Sequence, residues 1–403
     1  MKKCYQLFVA GCLLVWAVSC SKSPEEYRGE AESARHYHKL VKNLTDVIVY
    51  DIFSPPVASR IYLYPNVAAY EVLRNQYPDY ASLAGQLKNL GAVPQPDPSL
   101  LHNFPLAALH AFYLCGKQLV FSEEKMDSYQ QELQQQFLDM GMSEEVFENS
   151  LAYGEQVAAH IMDWAATDNY KQTRTFPKFT VTDDAGRWKP TPPDYMEGIE
   201  PHWNKIRTLV LDSAQQFVPP PPTPFSLDTT SQFYQEVMQV YNVVNKLDEE
   251  QLEIAQFWDC NPYVSQHQGH AMFALKKITP GGHWVGITST ACQTAGASLM
   301  ESVHTCTMVS VALFDGFISC WDEKYRSSLV RPETVINEHI DEDWLPILQT
   351  PPFPEYTSGH SVISAAAATM LTHLWGEDFA FTDSTEVEYG LPVRKYGSFM
   401  QAA

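Results

Sequence analysis

Thr350-Pro-Pro-Phe-Pro-Glu-Tyr-Thr-Ser-Gly-His360 leads straight into an apolar run, residues 362–375. Its prolines hold the first half extended. The run that follows reads as a helix, with Ala365 to Ala368 as strong formers and Gly376 just past the end. A helix launched at Thr-Ser-Gly-His presents free N–H groups and a positive dipole end to an anion. Gly359 lets backbone approach closely, Ser358 adds a hydroxyl, and His360 is a titratable acid/base. Upstream lies Lys324-Tyr-Arg-Ser-Ser-Leu-Val-Arg331-Pro332, two permanent cations seven residues apart. On one helix, positions i and i+7 share a face and aim at one point. Together the segments describe a pocket for a tetrahedral oxyanion such as phosphate or vanadate.

Working outward, almost every long segment reads as helix. Residues 31–50, 57–76, 105–121, 123–140, 143–168, 230–246 and 248–259 carry helical spacing or capping signals. Residues 288–325 are the longest candidate, one bent helix or two. Residues 173–224, rich in Pro, Thr, Asp and Trp, read as a long ordered connection, with Trp188 and Trp203 as core anchors. Strand signals are scarce, so the expected class is all-α, a helical bundle. The expected division is a leader over 1–20, a helical region with the proline-rich connection over 21–225, and a catalytic region over 226–403.

A chain of 403 residues, 45% hydrophobic, can bury a large core. Its net charge of −21 argues against nucleic acid or an acidic membrane surface as partner. Lys2, Lys3, the apolar residues 7–18 and Ala17-Val-Ser-Cys20 read as an export leader ending in a lipobox. Cys20 is therefore the expected lipidation site, and the expected location is that of an exported bacterial lipoprotein, periplasmic or on the outer-membrane face. No later stretch reads as a membrane span. Of eight cysteines, Cys115, Cys260, Cys292, Cys306 and Cys320 lie beyond the leader without a paired spacing. They read as buried small hydrophobes, the last three at a spacing that suits one helical face. His283 and His270 are read as structural, His283 as a turn histidine satisfied by backbone. The acidic residues from Glu249 to Glu253 read as a solvated face.

Lys-x6-Arg-Pro followed by Ser-Gly-His resembles the superfamily shared by type 2 phosphatidic acid phosphatases and vanadium-dependent haloperoxidases. Thr350 to His360 is similar to the soluble haloperoxidase-like branch, as are Asp51 to Arg60, Trp188 to Pro193 and Pro280 to Trp284. The resemblance implies that Lys324, Arg331, Ser358 and Gly359 bind vanadate or phosphate, that His360 handles the catalytic proton, and that Phe353 lines the pocket beside it. It implies vanadate as cofactor with peroxide and halide as substrates, or, with no cofactor, a phosphate ester as the substrate of an acid phosphatase. A third expectation is a non-catalytic remnant. The family's third motif, Ser-Arg followed by the vanadium-ligating or phosphorylated His, does not occur before Ala403. The expectation is therefore a chain truncated inside a helix capped by Ser398, with an impaired site.

Overall fold

A computed structural model of the chain describes residues 22–268, 271–274 and 276–403. The leader with Cys20, and His270, lie outside the described residues. Fourteen α-helices are described: α1 (Pro24–Ala31), α2 (Ala34–Tyr50), α3 (Pro55–Leu73), α4 (Phe104–Lys117), α5 (Glu123–Asp139), α6 (Glu144–Ala166) and α7 (Tyr170–Thr173), then α8 (Gln232–Val244), α9 (Glu249–Phe257), α10 (Pro280–Ala295), α11 (Leu299–Ser327), α12 (Pro332–His339), α13 (Gly359–Trp375) and α14 (Phe399–Ala402). Among the described residues, strand is confined to two antiparallel pairs, β1 (Ser265–Gln268) with β2 (Ala271–Ala274) and β3 (Phe381–Asp383) with β4 (Arg394–Tyr396). The all-α class stands.

Capping side chains decide where helices begin. The Ser54 hydroxyl accepts from Val57 N ahead of Pro55 and Pro56, Asn103 accepts from Leu106 N, and Ser143 from Val146 N. Asp248 with Gln251 and Ser298 with Glu301 form reciprocal capping boxes. Every residue of α3 is buried, as befits a helix apolar on all sides. Helices α4, α6 and α11 pack around it. The approach of α6 to α4 requires Gly154, because a Cβ there would sit 2.6 Å from the Ala107 carbonyl oxygen.

One open alternative is resolved and two expectations are corrected. The candidate over 288–325 is two helices, α10 and α11, separated where Gly296 adopts a left-handed conformation at φ 65°. Cys292 consequently lies on α10 while Cys306 and Cys320 lie on α11, although all five cysteines beyond the leader are free and buried as expected. Helix α11 is long and apolar enough to cross a membrane by length and composition, contrary to the reading above. Its apolar window is 72% buried inside the fold, the signature of a core helix.

One core cluster runs from Tyr27 to Ala402, so residue 225 marks no break in packing. The connection over 173–224 is irregular and ordered, as expected. Trp188 and Trp203 are fully buried, and Asp315 of α11 accepts the backbone N–H groups of Leu209, Val210 and Leu211. The same connection props the end of α11, where Trp188 N donates to Ser328 O and Val330 N to Gly186 O.

Candidate functional site

Lys324 ends up in the last turn of α11 because that helix stops at Ser327, with Ser328 left-handed at φ 48°. Arg331 follows in extended backbone as the cap residue of α12, whose first residue is Pro332. The two cations are therefore not on one helical face. A kink replaces the straight i, i+7 geometry, yet both still reach one cavity. Arg326 is spent on ion pairs with Asp322 and Glu323, in keeping with a structural role.

Helix α13 begins at Gly359, with Ser358 as its cap. The Ser358 hydroxyl oxygen accepts from Ser361 N at 3.2 Å and from the Ser361 hydroxyl at 3.0 Å, so its own proton stays free to donate. The extended strap before it is held by the cations themselves. Lys324 Nζ donates to the carbonyls of Pro354 (2.9 Å) and Glu355 (3.1 Å). Arg331 donates to Phe353 O (2.7 Å), Pro351 O (3.1 Å) and the Glu355 carboxylate (2.7 Å). Phe353 lies between them, its ring 4.8 Å from Lys324 Nζ and 4.9 Å from the Arg331 guanidinium carbon.

These elements enclose a cavity of about 140 Å³ lined by Lys324, Arg331, Phe353, Ser358, Gly359 and His360. All six residues singled out from the sequence, Cys20 aside, thus meet at one place. Lys324 is 1% exposed and Arg331 8%. Burial lowers the Lys324 ammonium to about 8, with Arg331 adding to the fall and Glu355 opposing it. Burial would raise the Glu355 carboxyl, but Arg331 and Lys324 outweigh it and hold it below the usual range. His360 keeps an exposed edge at the cavity mouth, yet the protein around it lowers its pKa by desolvation, against a hydrogen bond to the Trp258 backbone that raises it. A neutral imidazole near pH 7 follows.

The cradle can take an anion. Two of three ammonium protons and three of five guanidinium protons have partners, leaving donors free, and the single Glu355 carboxylate does not cancel both cations. A Cβ built on Gly359 would reach only ordinary van der Waals contact, 3.9 Å from Lys324 Cε and from the Trp321 ring, so the backbone here is not crowded by its neighbours.

The sequence reading missed part of the wall. Cys260, Tyr263, Phe317, Trp321 and Glu355 also line the cavity. Only Glu355, inside the quoted stretch, carried a signal; the others come from segments with no local motif. His283 is also corrected: it sits in the first turn of α10, fully buried, against the carboxylates of Asp383 and Glu386 rather than backbone. The acidic residues Glu249, Glu250 and Glu253 are exposed, as expected.

Comparison with known proteins bears on the family and the fold. The sequence family described as the VCPO second helical-bundle domain matches residues 304–397. A bacterial vanadium-dependent iodoperoxidase structure is 52% identical, with 92% of this chain and 88% of that chain covered and a TM-score of 0.87. A holo-type bacterial vanadium-dependent chloroperoxidase shares the fold at 17% identity, with 87% and 86% covered and a TM-score of 0.62. An apo-type one gives 17% identity, 86% of each chain and 0.58. Comparison with curated proteins finds no match.

Proposed function

Since the chain belongs to the vanadium-dependent haloperoxidase family, we propose that its cavity binds vanadate and supports oxidation of a halide by hydrogen peroxide. The observation that carries this reading is the buried Lys324 charge, set with Arg331 around the N-terminus of α13 and met only by carbonyl oxygens and one carboxylate. Bound vanadate supplies a Lewis-acid centre that activates peroxide without changing oxidation state. Lys324, Arg331, the Ser358 hydroxyl and the Gly359 amide balance its negative charge. Neutral His360 would accept a proton from peroxide held in the cavity and, once protonated, could give it back. Iodide is the first halide to assay, given the iodoperoxidase relative.

Among the described residues lining the cavity, His360 is the one histidine and Arg331 the one arginine. These residues alone offer no second imidazole as a ligand, and turnover carried by them alone is slight on this reading. The test is vanadate binding followed by vanadium NMR, together with peroxide-dependent iodide oxidation above that of free vanadate. Binding should weaken at least tenfold in Lys324→Ala and Arg331→Ala, and the protein-dependent oxidation should vanish in His360→Ala. With the lowered His360 pKa, the rate should rise with pH to a midpoint below 6.5, the imidazole's ordinary value. Vanadate binding indifferent to both cation variants would sink the proposal. Vanadate-free hydrolysis of p-nitrophenyl phosphate would favour a phosphatase instead, and failure of both assays a non-catalytic role.

Lipidation at Cys20, and with it a periplasmic or outer-membrane location, is also proposed, from the basic residues, short apolar run and Ala-Val-Ser-Cys boundary. Metabolic labelling with a fatty-acid analogue should mark the protein and fail in Cys20→Ala. Label retained in that variant would refute it.

A further inference from the structure

Behind the wall of the oxyanion cavity lies a second group of ligating side chains that the haloperoxidase chemistry does not use. His283 Nε2 sits 2.7 Å from Asp383 Oδ2, with both side chains fully buried. If Asp383 receives the Nε2 proton, Nδ1 presents its lone pair on the opposite edge. That edge faces Cys260 Sγ at 3.5 Å and Glu386 Oε1 at 3.3 Å. Glu386 is 6% exposed, and its Oε1 has no hydrogen-bond partner. A lone pair, a carboxylate oxygen and a sulfur thus point at one another in a buried space, an arrangement that calls for a positive charge among them.

We propose that Cys260 Sγ, His283 Nδ1 and Glu386 Oε1 form a binding site for a divalent cation of the zinc class. Tetrahedral bond lengths of about 2.3 Å to sulfur and about 2.0–2.1 Å to nitrogen and oxygen put S and N roughly 3.5 Å apart, and N and O roughly 3.3 Å apart. The observed separations are 3.5 Å and 3.3 Å, and all three ligand atoms lie within 4.8 Å of one another. The donor set of thiolate, imidazole and carboxylate suits zinc or cobalt better than calcium or magnesium, which take oxygen. Asp383 completes the arrangement by fixing the ring orientation and tautomer, the usual carboxylate–histidine support of a bound metal. Its other oxygen accepts from Thr385 N at 2.9 Å, so Asp383 is itself held in place. Trp258 stacks on the His283 ring at 4.5 Å and Phe257 meets it edge-on at 5.3 Å, giving the apolar jacket that excludes water from such sites.

Binding is balanced in charge. The thiol of Cys260 loses its proton to solvent as the sulfur–metal bond forms, and thiolate plus the Glu386 carboxylate cancel the divalent charge. A fourth position is left for water or another small donor. Cys260 also lines the oxyanion cavity, so the cation would lie against its wall. The site stands on its own residues, whether or not the haloperoxidase reading holds.

The test strips the full chain with a chelator and titrates it with cobalt(II), following near-ultraviolet sulfur-to-cobalt charge transfer. One cobalt per chain is expected, with that absorption, displaced by zinc and accompanied by a rise in Tm. Cys260→Ser should abolish the absorption while Cys292→Ser retains it. Glu386→Gln should weaken binding at least tenfold, and Asp383→Asn by about 10–100-fold. Should Cys260→Ser fail to fold, the wild-type titration and Glu386→Gln decide. Less than one cobalt per chain, absorption that survives Cys260→Ser, or affinity unmoved by Glu386→Gln would each overturn the site. The cluster would then be a proton-sharing one, with the thiol or a protonated Glu386 donating to Nδ1.

Discussion

Lys324 shows how burial sets the working range of a single charge. With its ammonium lowered to about 8, it is a cation below that pH and neutral above it. Affinity for an anion of fixed charge, such as molybdate, should therefore fall as pH rises through about 8. Lys324→Met should bind more weakly throughout and lose that slope, since Arg331 keeps its charge. Isothermal titration at pH 7 and pH 9.5 measures it, and an equal slope in the variant would refute the assignment. The sign for stability is the reverse. Between about 8 and the ordinary lysine value of 10.5 the folded form binds fewer protons, so the empty protein gains stability as pH rises through that window. Below it, the buried ammonium costs about 3 kcal/mol that a bound anion offsets. The charge types of this site were legible in the sequence because Lys, Arg and Ser-Gly-His stand in short order. The cluster of Cys260, His283, Asp383 and Glu386 was not. Cys260 and Asp383 lie 23 and 100 residues from His283 along the chain, and Glu386 three beyond Asp383, at no recurring spacing; the packing of α10 against β3 is what brings Asp383 to His283.

Helix α13 carries the anion site on its first turn, and its limits were readable from Ser358 and Gly376, both of which act as caps. The break between α11 and α12 was not readable. Ser328 adopts a left-handed conformation that the sequence does not demand, at a cost of roughly 1–2 kcal/mol, and hydrogen bonds from the 173–224 connection hold it there. That is tertiary structure overruling local preference, and it converts two cations on a supposed single face into two sides of a cradle. The role of Gly359 can be tested separately from folding. Its Cβ would find ordinary space in the empty protein, 3.9 Å from Lys324 Cε and from the Trp321 ring. Gly359→Ala should therefore fold with Tm near wild type, yet bind vanadate at least tenfold more weakly because the methyl occupies the anion's approach. Gly154→Ala should behave oppositely. Its Cβ would strike the Ala107 carbonyl at 2.6 Å, so overpacking between α4 and α6 should cost about 1–3 kcal/mol. Urea unfolding of both variants distinguishes them. A strongly destabilised Gly359→Ala would mean that the glycine serves the backbone rather than the ligand.

Across the molecule, a net charge of −21 coexists with a cationic pocket because Lys324 and Arg331 are buried beside it, while buried acids such as Asp315 and Asp383 are held by hydrogen bonds of their own. Acidification should relieve that diffuse repulsion, and on this ground alone mild acid would stabilise the fold. The interior opposes it. His38 of α2 is 9% exposed, neither ring nitrogen has a hydrogen-bond partner, and burial lowers its pKa to about 4. Unfolded, it titrates near the ordinary histidine value of 6.5. Between those two values the unfolded chain binds more protons, so stability present above 6.5 is lost as pH falls and levels off below about 4. The gap corresponds to about 3 kcal/mol, a substantial part of a typical folding free energy. His36 and His304 are lowered by burial in the same direction, so they add to the slope. Urea unfolding at pH 7 and pH 4.5 should therefore show a marked acid loss in the wild-type protein. His38→Gln, which cannot charge, should lose about 2–3 kcal/mol less over the same interval. Equal losses in the two proteins would show that His38 takes up its proton without cost, and that carboxylates and surface charge govern acid stability instead.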